Sequence, residues 1–139
     1  LALQLWQKKP GDFGGLVLDA AYPLDEQKYA SGKIEPLGPP KDDAIKSCPI
    51  LALVGGADGG SAIWQRVAKS WHAAKIPLIV HIIPDKGHEW LFNDATEQAA
   101  LHDWLKRVSA GETPDDPASP KRPLPGEGTV PAIKVIYTP

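Results

Sequence analysis

The chain has 139 residues, enough for one modest domain, with 42% hydrophobic residues, 15 prolines and 13 glycines. Its formal net charge of −2, with no basic stripe and no block of like charge, argues against nucleic acid or an anionic membrane as the main partner. The lone Cys48 excludes an internal disulfide framework, no apolar run approaches the ~18–20 residues of a membrane-crossing helix, and the compartment stays open.

Residues Leu1 to Lys9 carry the pattern of a helix end, stopped by Pro10-Gly11. The opening Leu1-Ala2-Leu3-Gln4-Leu5-Trp6 is apolar and has no capping residue, which reads as a start inside a helix and so as part of a longer protein. Phe13 to Ala21 is an apolar stretch between turn formers and predicts a buried strand. Tyr22 to Ser47, broken by Pro23, Gly32, Pro36, Gly38, Pro39 and Pro40, predicts a long irregular connection.

Pro49 to Gly55 predicts a second buried strand, followed by the Gly-rich run Gly55 to Gly60 with Asp58 inside it. A helix is expected from Ser61 as N-cap, with Ile63, Val67, Ser70, Trp71 and Ala74 at helical spacing. Pro77 to Ile83 predicts the third strand, Pro84 to His88 a turn, and Asp94 to Val108 a final helix. Apolar strands alternating with helices predict an α/β fold with a parallel sheet covered on both faces, its edges completed by a partner sheet. Beyond Ser109 a Pro-rich linker is expected, and then one strand within Thr129 to Pro139.

Asp58 lies just past the end of one strand and His88 just past the end of the next. In an open parallel sheet the carboxyl ends of the strands form the ligand-binding edge, so both groups arrive on one side. A carboxylate that accepts a hydrogen bond from an imidazole fixes its tautomer and stabilises the cation formed when it takes a proton. Tyr22 at the tip of its strand and Trp90 just after the histidine are candidates to line a substrate cleft.

An acid, then a helix, then a strand and Lys86-Gly87-His88-Glu89-Trp90, then a last helix, resembles the α/β-hydrolase superfamily, closest in wording to its carboxylesterase, acyl-thioesterase and dienelactone-hydrolase-like branch. The resemblance covers about residues 1 to 108, the C-terminal half of such a domain. It implies a serine hydrolase of carboxylic esters or thioesters in which Asp58 is the triad acid and His88 the base, with no cofactor or metal. The family's Gly-x-Ser-x-Gly elbow is absent, so the resemblance places the nucleophile and the oxyanion hole in an N-terminal half upstream of Leu1, and these 139 residues by themselves are expected to be inactive.

Other readings stay beside this one. The fold alone would also serve a non-catalytic binding or assembly module. The Gly55 to Gly60 turn could cradle a phosphate, as in a flavodoxin-like nucleotide binder, but it lacks G-x-G-x-x-G spacing and a Walker lysine, and Asp58 would repel the anion. Asp19 and Asp85 also stand near strand ends and are alternative acids or turn carboxylates, while His72, His81 and His102 are assigned to packing or solvation. Trp64, Trp71 and Trp104 are assigned to the core.

Overall fold

A computed structural model of the protein describes residues 2–114. Its centre is strand β2 (Ile50–Gly55), every residue of which is buried. A β-branched and aliphatic run has no polar face to turn to water, so it stays interior only if layers cover it on both sides. Strand β1 (Leu16–Asp19) pairs with it in parallel on one edge, and strand β3 (Leu78–Ile83) on the other. The result is a three-stranded parallel sheet in the order β1-β2-β3, flanked by helices.

Helices α1 (Ala2–Lys8) and α3 (Gly60–Ala73) cover one face. Trp64, Val67, Ala68 and Trp71 fall at helical spacing on α3 and are buried there with Trp6 of α1. Their indoles form a chain: Trp6 to Trp71 at 5.5 Å between centroids, and Trp71 to Trp64 edge-on at 6.5 Å. Truncating one such ring to alanine costs about 3–5 kcal/mol. Two of them also hold the chain that leaves β1: Trp64 Nε1 donates to the Ala21 carbonyl at 2.7 Å and Trp71 Nε1 to that of Leu37 at 3.2 Å. Helix α4 (Ala95–Ser109) covers the other face through Trp104 and Leu101, which pack with Leu91, Phe92, Leu51 and Leu53. Asp94 caps α4 by accepting from the Thr96 amide at 2.7 Å, and Lys106 and Arg107 in the last turn suit the negative end of its dipole.

Three expectations change in detail. The first strand is shorter than Phe13 to Ala21, because Gly14 and Gly15 offer no side chain to pack and pairing begins at Leu16. The connection from Tyr22 to Ser47 is not wholly irregular: it holds helix α2 (Glu26–Ala30), whose cap Asp25 accepts from the amides of Gln27 and Lys28. Leu24 and Pro36 form an isolated antiparallel bridge in the same segment. Ser61 is not the cap of α3; the helix begins at Gly60 with Gly59 in the cap position, because a carboxylate two residues earlier already serves the Gly60 amide. Most of the expected 109–139 tail and its strand lies outside the described residues.

Candidate active site

The two strand ends meet backbone to backbone. Beyond β2 the Gly56 amide donates to the Ile83 carbonyl at 2.8 Å, and the Ala57 amide to that of Lys86 at 2.9 Å. This approach requires glycine at 55, where a Cβ would sit 2.2 Å from the Lys86 carbonyl oxygen and 2.3 Å from that of Gly87. Asp85 turns the chain with a φ of 61°, a left-handed conformation that aspartate tolerates better than most residues. The acid loop and the histidine loop are thus locked to each other, and His88 follows from that lock.

His88 Nδ1 lies 2.9 Å from Asp58 Oδ2. The Asp58 side chain is 1% exposed and that of His88 59%. The other Asp58 oxygen, Oδ1, accepts the Gly60 amide at 2.9 Å and the Tyr22 hydroxyl at 2.6 Å. Burial pushes the Asp58 pKa up, but the Gly60 amide, the Tyr22 hydroxyl and His88 together hold it below the usual carboxylate range. An ionised carboxylate only accepts, so Nδ1 carries the proton and Nε2 is left as the basic nitrogen on an exposed ring. That is the tautomer a general base needs.

Tyr22 comes from the end of β1. Ala20, at a φ of 48°, turns the chain there, its amide donating to the Leu53 carbonyl at 3.0 Å. The Tyr22 ring stacks on the His88 ring at 5.1 Å between centroids and 29° between planes. Asp58 raises the Tyr22 pKa, because ionising a phenol that donates to a carboxylate loses the hydrogen bond and gains a like charge. Tyr22 also borders a cavity of about 750 Å³, with Leu3, Leu18, Leu24 and Leu37 among its walls; Asp58 and His88 do not border it. Trp90 is 62% exposed and sits edge-on against Phe92 at 5.6 Å.

Asp19 does not serve as an alternative acid for the imidazole. Its carboxylate accepts the Leu91 amide at 3.2–3.3 Å, tying the end of β1 to the segment that follows His88. Burial raises its pKa despite that amide and the nearby His88. His81, in the interior of β3, faces Glu97 of α4 at 3.2 Å. Cys48 is buried, which pushes its thiol pKa up and makes it a poor nucleophile.

Among the described residues no group of three His, Cys, Asp or Glu side chains could hold a metal ion, and no helix is long and apolar enough to cross a membrane. The Gly60 and Tyr22 contacts to Asp58 escape sequence reasoning, since Tyr22 is 36 residues away and only the glycine run hints at a crowded turn. No family model, curated protein or solved structure matches this chain.

Proposed function

We propose that this chain is the C-terminal half of an α/β-hydrolase domain and supplies the acid and base of a serine hydrolase that cleaves carboxylic esters or thioesters. The reading rests on one hydrogen bond: an exposed imidazole held through Nδ1, at 2.9 Å, by a buried, ionised carboxylate. A solvated surface pair would not need a carboxylate 1% exposed with two further donors on it.

The nucleophile in this reading is a serine carried by a segment outside the 139 residues. Its Oγ attacks the acyl carbon while its proton passes to His88 Nε2. The tetrahedral intermediate then expels the alcohol or thiol, which takes that proton back from Nε2. Water repeats the sequence on the acyl-enzyme, giving the carboxylic acid and restoring the serine. Asp58 keeps Nδ1 protonated throughout and stabilises the transient imidazolium. No cofactor enters.

A nucleotide-binding reading fits the site less well. The amide at the start of α3, where a phosphate would sit, is already taken by Asp58 Oδ1 at 2.9 Å. The test is p-nitrophenyl ester turnover by the parent polypeptide that contains the upstream segment. His88→Ala should reduce it by at least ~10³-fold with the fold intact. Undiminished turnover would remove His88 from the chemistry, and a parent polypeptide with no serine nucleophile and no turnover would leave a binding or assembly module.

A further inference from the structure

We propose that Tyr22 is a positioning residue for this acid–base pair, its hydroxyl fixing the Asp58 carboxylate and its ring fixing the plane of the His88 imidazole. The role rests on the hydrolase reading and differs from lining a substrate cleft. Three independent contacts support it. The hydroxyl donates to Asp58 Oδ1 at 2.6 Å, the oxygen His88 does not use, so the two donors address separate atoms of one carboxylate. The ring lies stacked on the imidazole at 5.1 Å. Gly60 leaves the space the ring occupies: a Cβ there would come within 2.4 Å of Tyr22 Cε1 and 2.6 Å of Cδ1.

Each contact has a separate physical effect. A carboxylate with a single partner can rotate about its Cβ–Cγ bond and carry Oδ2 away from Nδ1. With Oδ1 tied to both the Gly60 amide and the Tyr22 hydroxyl, that rotation breaks two hydrogen bonds. The imidazole, 59% exposed and held by Asp58 at Nδ1, is free to swing about that bond unless something flanks it. The phenol ring flanks it on one face. Tyr22 is itself anchored from behind, through the Trp64 bond to the Ala21 carbonyl at 2.7 Å. Preorganisation of this kind raises the rate without changing ground-state substrate affinity.

The experiment separates hydroxyl from ring. In the 139-residue chain, carboxyl NMR of Asp58 and the ring-proton shifts of His88 are followed in wild type, Tyr22→Phe, Tyr22→Leu and Gly60→Ala. Tyr22→Phe should move the Asp58 titration to higher pH while the His88 ring protons keep their stacked, upfield positions. Tyr22→Leu should do both: raise the Asp58 titration and shift the His88 protons downfield. Gly60→Ala puts a methyl against Cε1 and Cδ1 on the flank of the tyrosine ring, so it should push ring and hydroxyl out together and reproduce both effects of Tyr22→Leu with Tyr22 still present. In the parent polypeptide, Tyr22→Phe should lower kcat about tenfold and leave KM unchanged.

A Tyr22→Phe variant with an unmoved Asp58 titration, or one that raises KM at constant kcat, overturns the proposal; the latter would make Tyr22 a cleft wall. The NMR arm decides the positioning role even if the parent polypeptide hydrolyses nothing. In that event the hydrolase reading fails while the Tyr22–Asp58–His88 linkage stands or falls on its own measurement.

Discussion

The described residues hold two carboxylate–imidazole pairs that differ in almost everything except their chemistry. Asp58 and His88 meet at 2.9 Å where two strands end, the acid buried beneath an exposed ring and supplied with two further donors. Glu97 and His81 meet at 3.2 Å between α4 and the middle of β3, with side chains 11% and 13% exposed. There Glu97 Oε2 lies off the hydrogen-bond line and has no hydrogen-bond partner. The electrostatics divide accordingly. Donors hold Asp58 in its ionised form against burial, whereas burial, with the Asp94 charge adding to it, raises the Glu97 pKa, and burial lowers that of His81. Both members of the interior pair are pushed toward neutrality. An acid beside a histidine is therefore no signature of a base catalyst; the donors on the acid and the exposure of the imidazole decide which kind of pair it is.

The largest test of this contrast is activity. In the parent polypeptide His88→Ala should cost at least ~10³-fold in kcat/KM, while His81→Ala should leave it within a few-fold once the protein is folded. Equal losses at the two positions, measured on ester turnover, would erase the distinction.

A second test breaks the exposed pair without touching either member. Gly55→Ala drives a methyl into the Lys86 and Gly87 carbonyls, and overpacking of this kind costs about 1–3 kcal/mol. Urea denaturation should register that loss, and NMR should register separation of His88 from Asp58 with the environment of His81 unchanged. If the His88 resonances stay in place, the lock between the two loops is not what aligns the site.

Much of this arrangement was legible beforehand, and what was not has a physical cause. β2, α3 and β3 stand out because long apolar runs with one period are bounded by Gly and Pro. Asp58 and His88 stand out because adjacent parallel strands must deliver their ends to one edge. The contacts of Tyr22 were hidden: they depend on a left-handed Ala20 and on empty space at Gly60, neither of which has a periodicity. Helix α2 was hidden inside a Pro-rich stretch because a single cap, Asp25, makes it, and five residues are too few for an apolar stripe. The Glu97–His81 pair was invisible because it joins a helix position to a strand position across the sheet face.

The third test uses stability and acid. Asp58→Ala strands the Tyr22 hydroxyl and the Gly60 amide, at an expected cost of about 2 kcal/mol near pH 7. The folded pKa of Asp58 lies below its ordinary 3.8, so its contribution is present above pH 3.8 and is lost as pH falls through the folded value. Wild type and variant should converge in denaturation midpoint below that point. A gap that persists unchanged in acid would mean that packing, not charge, sets the cost.

The smallest effect concerns the interior pair and has the opposite sign. The folded pKa of Glu97 lies above its ordinary 4.5, so that contribution is present below pH 4.5 and is lost as pH rises through the folded value. Glu97→Gln removes the ionisation and should match wild type at pH 4 but exceed it in stability at pH 8. A less stable variant at pH 8 would show that Glu97 is charged and paired in the fold, making the two pairs alike after all.

Asp58 Oδ1 receives the first amide of α3, while its neighbour Oδ2 holds His88 Nδ1. One residue thus answers to two selective pressures, the start of a helix and the tautomer of a histidine. Under the proposed hydrolase role, relatives without that activity would keep the first pressure and lose the second. An aspartate here is accordingly expected to outlive the activity, whereas the exposed His88 is the position expected to drift first. When relatives of this chain are read for activity, the histidine is the informative letter and the aspartate is not.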